Sequence, residues 1–217
     1  MLFRHGLAGL AHKAAASAAS TDDFNRADEA LDDDANWTRV VAIGSTDKFG
    51  IVSNVLRGGD SSTSGQGLTL HGDTRANDQY AQIVYKAYNG GAADTRIGIT
   101  VRCTVGATSL DGYVAFWENN TTKTPDWKLR LFTWNDPDFG VFLAEYNFGD
   151  TEPSDGDILK LKAIGTTISV ENDTGGGFVE RISVTDSDHA SGSAGVYTRA
   201  TTIGHWMEGD DWEAGNI

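Results

Sequence analysis

The sequence is poor in cysteine, in positive charge and in long apolar runs, and each shortage excludes something. One cysteine among 217 residues cannot close a disulfide within the chain and cannot build a thiolate zinc cluster. That residue, Cys103, lies in I-T-V-R-C-T-V on the apolar phase of a strand, which predicts a buried, inert thiol. Seventeen basic residues face 31 acidic ones, a formal net charge of −14 with no basic stripe. A nucleic-acid partner needs such a stripe, and an acidic surface repels both nucleic acid and anionic lipid. No apolar run approaches the roughly 18 to 20 residues of a membrane span, so no membrane is expected as a partner. The glycine- and serine-rich R-G-G-D-S-S-T-S-G-Q-G, residues 57–67, lacks the lysine of a phosphate loop and precedes no helical pattern, which excludes nucleotide binding. The histidines, at 5, 12, 71, 189 and 205, show neither metal-ligand spacing nor a serine or cysteine partner, so no triad is expected.

What is present is alternation. Leu159, Leu161 and Ala163 alternate with Lys160 and Lys162, and Ile168 and Val170 alternate with Ser169 and Glu171. That period of two marks half-buried strands, and Gly165-Thr166 between them marks a tight hairpin. Further short strands are expected at 37–40, 50–56, 68–71, 80–88, 96–105, 112–118, 127–134, 141–148, 179–184, 195–198 and 210–213. In the strand 96–105, Ile97, Ile99, Val101, Cys103 and Val105 share one phase, and Arg96, Thr100, Arg102 and Thr104 the other. Many short strands with a turn every ten or so residues predict one all-β sandwich or barrel. The acidic stretch 21–36 reads as a solvated turn. Its Asp32, Asp34 and Asn36 begin a calcium-loop spacing that Trp37 and Ile43 then break.

The first twenty residues differ from the rest. Phe3, Leu7, Leu10 and Ala14 fall on one face of a helix, so residues 1–20 are expected to form a helical arm and residues 21–217 the β-domain. A secretion signal is not expected, because Gly6, Gly9, His12 and Lys13 interrupt the apolar middle. The N-x-T sequences at Asn36, Asn119, Asn120 and Asn172 then carry little weight as glycan sites.

D-D-F-N-R-A-D at 22–28, G-D-I-L-K-L-K-A-I-G-T-T-I-S-V at 156–170, S-V-T-D-S-D-H-A-S-G-S-A-G-V-Y-T at 183–198 and D-D-W-E-A-G at 210–215 resemble concanavalin A-like (laminin G-like) jelly-roll modules. Such modules recur in bacteriophage virion proteins and in bacterial surface and glycan-associated proteins. The resemblance implies a two-sheet antiparallel jelly-roll sandwich with adjacent first and last strands, and with Phe24 and Trp212 in the core where the chain ends meet.

Three sets of residues are candidates for chemistry. Glu208, Asp210 and Glu213 match the E-x-D-x-x-E spacing of the catalytic strand in β-glucanases of this fold, and one bulge would place all three on one sheet face. Gly209, Asp211 and Trp212 stand where that strand has apolar residues, so a non-enzymatic reading is preferred. Phe132 and Trp134 share a phase with Lys128 and Arg130 and form a candidate contact surface for a glycan or protein, unless that face is covered. Calcium is the one cofactor weighed, on the loop oxygens of Asn172, Asp173, Asp186 and Asp188. The sequence-based expectation is a non-catalytic structural or adhesive part of a phage virion, a capsid decoration or tail protein. It would join other virion proteins or identical subunits, as a homo-oligomer, through the arm stripe Phe3, Leu7, Leu10 and Ala14. The alternatives are a carbohydrate-binding module and a β-glucanase-type glycoside hydrolase.

Overall fold

The computed structural model describes residues 18–44, 49–58, 65–73, 75–90, 94–105, 110–119, 127–135 and 138–217. The expected arm, with Phe3, Leu7, Leu10 and Ala14, falls outside them except at its end. That end is not helical: Ser20 already opens the first strand. The one helical element among the described residues is a 3-10 turn at Leu31–Asp33.

Among the described residues, sixteen strands form two antiparallel sheets. Sheet A holds β1 (Ser20–Asp22), β2 (Glu29–Ala30), β4 (Phe49–Val52), β5 (Val55–Gly58), β7 (Gln79–Asn89), β12 (Ile158–Ile164), β13 (Thr167–Asp173), β14 (Val179–Thr185) and β16 (Trp206–Asn216). Its order is β14-β13-β12-β7-β16-β5-β4-β2, with β1 also on β16. Sheet B holds β3 (Trp37–Gly44), β6 (Gly65–His71), β8 (Thr95–Val105), β9 (Leu110–Asn119), β10 (Trp127–Asn135), β11 (Asp138–Gly149) and β15 (Ser193–Ala200), in the order β11-β10-β9-β8-β15-β6-β3. The expected hairpin is β12–β13, turned at Gly165 with φ +56°. Residues 50–56, expected as one strand, are instead parts of β4 and β5. Ser53 and Asn54 turn between them at φ 55° and 65°, the pair of left-handed residues that a type I′ turn needs.

The first and last strands do meet: Ser20, Thr21 and Asp22 pair with Ala214, Glu213 and Trp212. Phe24 and Trp212 are both buried, but Trp37 joins them, its ring centroid 6.2 Å from Phe24 and 4.8 Å from Trp212. Most of the acidic stretch before Trp37 is exposed, as expected of a solvated turn, including Asp23, Asp28, Asp32 and Asp33, but Asp22 is structural. Asp22 accepts hydrogen bonds from the Phe24 backbone N–H, from Arg26 and from the Trp37 indole.

Between the sheets lies the main core, with Ile83, Tyr85, Ile97, Ile99, Trp117, Leu129, Leu161 and Val170 among its members. A second cluster covers the outward face of sheet B: Leu68, Leu70, Cys103, Val114, Phe116, Trp134 and Tyr197. Cys103 belongs to this second cluster and not, as the alternation in β8 predicts, to the face of Ile97. The reason is a bulge. The β8–β9 register shifts between Val101 and Thr104, and Arg102 takes φ +53°. The extra residue turns Cys103 to the other side, where burial pushes its thiol up to about 12. The Arg102 side chain, 2% exposed, instead plugs the end of the sandwich. It donates to the carbonyls of Asn77, Gly165 and His189 at 2.7, 2.8 and 3.2 Å, tying three loops to one guanidinium.

Candidate functional site: a charged ladder beside an aromatic row

The outward face of sheet B carries two parallel rows of side chains. Cross-strand register builds the first. Gln66 on β6 pairs with Arg199 on β15, Arg199 with Arg96 on β8, Arg96 with Glu118 on β9, and Glu118 with Lys128 on β10. One rung along, Arg130 pairs with Glu145 on β11. Opposite charges one strand apart bond to each other. Arg96 holds Asp94 at 2.7 Å and reaches Glu118 at 3.2 Å. Arg130 reaches Glu118 at 3.0 Å and Glu145 at 3.1 Å, and Lys128 reaches Glu145 at 2.8 Å.

Glu118 is the pivot. Its side chain is 0% exposed, and a carboxylate buried this deeply persists only with such partners. Glu145 is partly buried, which works against its charge, yet the hydrogen bonds from Lys128 and Arg130 hold its carboxyl below the usual range. The ladder thus holds its charges in fixed positions through their mutual ion pairs. Arg96, Arg130, Lys128 and Arg199 face Asp94, Glu118 and Glu145, four cations against three anions on a chain that is strongly acidic elsewhere.

Aromatic rings form the second row. Tyr197 and Phe116 lie 5.4 Å apart, Phe116 and Phe132 stack at 5.8 Å, and Phe132 meets Phe142 at 5.2 Å. Strand β8 runs between Tyr197 and Phe116, and Gly98 lets them meet. A Cβ there would lie 2.5 Å from that of Phe116. The row passes from buried Tyr197 and Phe116, through half-buried Phe132, to Phe142, which is 48% exposed. Guanidinium groups sit over these rings, Arg96 over Phe116 at 4.8 Å and Arg130 over Phe132 at 5.6 Å.

The candidate contact residues therefore do share one face, with an important difference among them. Lys128 and Arg130 are half-buried ladder members and Phe132 belongs to the row. Trp134 is 0% exposed and belongs to the second core, 5.7 Å from Tyr197, so it is closed to a partner. Phe142 and Glu145, which complete the site, were missed. They lie on β11, and only the strand pairing reveals that they face Phe132 and Arg130. Trp117 and Trp127 pack in the main core against Tyr85.

The E-x-D-x-x-E carboxylates also share a face, the outward face of sheet A, because β16 bulges between Asp210 and Glu213 with Asp211 at φ +45°. Two of the three are engaged. Glu208 pairs with Arg57, and Glu213 accepts the Tyr80 hydroxyl. Burial raises the carboxyl of Asp210 above its ordinary value. The four calcium candidates do not meet. Asn172 and Asp173 sit at one end of the β13–β14 hairpin, and Asp186 and Asp188 follow its other end. Five residues of strand separate the two pairs, about 17 Å at ~3.3 Å per residue. Their oxygens already serve the turns: Asp173 accepts from Gly175 and Gly177, Asp186 from Tyr113 and Asp188, and Asn172 from Arg181. These residues do not fit one calcium ion. Among the described residues no three His, Cys, Asp or Glu side chains converge on a metal position.

No protein-family model and no curated protein matches this sequence. Solved structures do match in fold. The chain is similar to the exoplasmic/lumenal domain of VIP36 in its Ca2+/Man2-bound form, at 11% identity over 92% of this chain and 87% of that one, with a TM-score of 0.62. It is similar to the legume lectin-like domain from Entamoeba histolytica, at 10% identity over 84% and 90%, with a TM-score of 0.60. It is also similar to the carbohydrate binding module CBM66 from Bacillus subtilis, at 16% identity over 78% and 94%, with a TM-score of 0.53. At such identities the likeness is one of fold: an all-β, lectin-like sandwich.

Proposed function

We propose that this chain is a non-catalytic, carbohydrate-binding module of lectin type that holds a neutral glycan on the outward face of sheet B. The observation that carries the reading is the ladder lying beside the aromatic row. Sugar rings offer hydroxyls that both donate and accept, and C–H faces that pack on aromatic rings. Fixed carboxylates and guanidiniums answer the first, and Phe132 and Phe142 answer the second. The near balance of charge favours a neutral ligand over a polyanion or polycation. The neighbours' names, a mannose-bound lumenal domain, a legume lectin-like domain and a carbohydrate binding module, support carbohydrate binding rather than the virion role expected from the sequence. The non-enzymatic reading is supported by the engagement of Glu208 and Glu213 with structural partners. No calcium step is needed, since the ladder lies apart from the four candidate oxygens. The test is a glycan array probed with the purified full chain, followed by titration of the best neutral oligosaccharide against Phe142→Ala. Binding by the native chain that falls about three- to tenfold in the variant supports the site. An array without a hit, or a variant that binds as well, contradicts it.

A further inference from the structure

The outward face of sheet A, away from the ladder, carries an amine that nothing above uses. Of the four lysines among the described residues, three are ion-paired: Lys86 with Asp155 at 3.0 Å, Lys128 with Glu145 at 2.8 Å, and Lys162 with Glu171. Lys160 on β12 has no such partner among the described residues. Its ammonium lies instead between two rings, 4.5 Å from the centroid of Tyr80 on β7 and 4.4 Å from that of Phe178, just before β14.

The neighbouring carboxylates are committed elsewhere. Glu171 on β13 stands opposite Lys160 in the register but bonds to Lys162, and Glu213 on β16 accepts the Tyr80 hydroxyl. Glu180 on β14, one strand beyond Glu171, is exposed. Burial works against the charge of Lys160, and Lys162, two residues along, adds like-charge repulsion. The amine is held below its ordinary value although Glu171 and Glu213 oppose the shift. Desolvation and a neighbouring cation are two conditions that turn a lysine into a nucleophile.

We propose that Lys160 is a covalent attachment site for small aldehydes, the open form of a reducing sugar among them. The neutral amine attacks the carbonyl carbon and a C–N bond forms. The carbonyl oxygen departs as water with the two amine hydrogens, leaving an imine. At Lys86, Lys128 or Lys162 the same step gives up an ion pair and leaves a carboxylate without its cation. At Lys160 no ion pair is lost, and the flat imine keeps its contact with the two rings. Phe178 is 40% exposed, so the slot is open to solvent on that side.

The experiment treats the full chain with limiting glycolaldehyde and cyanoborohydride, which reduces the imine to a stable secondary amine, and maps the adducts by peptide mass spectrometry. It is repeated on the chain unfolded in guanidinium chloride and on Phe178→Ala. In the folded chain Lys160 should be labelled about threefold or more ahead of Lys86, Lys128 and Lys162. The lead should vanish on unfolding. Phe178→Ala, which opens the amine to water, should cut it about twofold or more. If Phe178→Ala does not fold, the comparison with the unfolded chain decides alone. Labelling of Lys160 no faster than that of Lys162, a lead that persists in the unfolded chain, or a lead unchanged in folded Phe178→Ala would each overturn the inference.

Discussion

The two sheets meet solvent differently. In sheet A, β7 and β12 alternate buried and half-buried residues along most of their length, and the outward side chains are wet. In sheet B, β8 is buried from Thr95 to Cys103 and β9 from Gly112 to Asn119, on both faces. The outward residues of sheet B include Arg96 and Glu118, which alternation alone assigns to water. They are buried because they are paired in register across strands. A polar residue on an outward face thus carries two meanings. On sheet A it marks a partly exposed ion pair, as at Lys162 and Glu171. On sheet B it marks a ladder whose charges neutralise one another across several strands.

The comparison breaks first where a buried charge of sheet B is removed. Arg102→Met should cost about 3 to 5 kcal/mol, because three loop carbonyls lose a buried donor together. Urea unfolding measures it, and a cost under about 1 kcal/mol would mean that the plug is decorative. Trp134→Ala comes next, at about 3 kcal/mol, since the deletion leaves a cavity in the second core. The same unfolding assay would show a near-neutral change if that tryptophan stood on a wet face.

Sheet A should respond far less. Lys162→Ala removes the ion pair with Glu171, both quarter-exposed or less, and should change stability by under about 0.5 kcal/mol. A loss comparable to that of Arg102→Met would erase the distinction between the sheets. The smallest effect is alkaline. Burial and the hydrogen bond to Glu213 raise the Tyr80 hydroxyl from 10.0 to about 12. The folded state therefore holds this proton more tightly than the unfolded one. The resulting stabilisation is complete below pH 10 and is lost as the pH rises from there towards 12. Melting temperatures across that window should fall less steeply for Tyr80→Phe than for the native chain, and parallel slopes would assign the loss to other groups.

Sheet A was largely legible in the sequence because its code is local. The β12–β13 hairpin, its glycine turn and the apolar faces follow from alternation within a few residues. The pairing of β1 with β16 was implied by the resemblance and not by any local pattern. Three features were not legible. The β8 bulge at Arg102 carries no signal beyond a strand of ordinary alternation, so Cys103 was placed on the wrong face. Trp134 reads like Phe132 in β10, and only the second cluster separates the buried ring from the half-buried one. The ladder depends on partners far apart in the chain, Glu118 with Arg96 and Arg130, and Glu145 with Lys128. A list of strands gives their faces but not their register. In the acidic segment before Trp37, composition indicates the solvation of Asp23, Asp28, Asp32 and Asp33 but not the part of Asp22, which holds a turn, an arginine and an indole together.

The account rests on the outward face of sheet B being a glycan surface, and Phe142 is the residue that tests this with least disturbance. Its ring is half exposed at the open end of the aromatic row, so alanine there should leave the melting temperature within about 2 °C of native. Titration of the full chain with its best neutral oligosaccharide should then show affinity falling about three- to tenfold in Phe142→Ala. Unchanged affinity at unchanged stability would contradict the assignment of this face as the binding site.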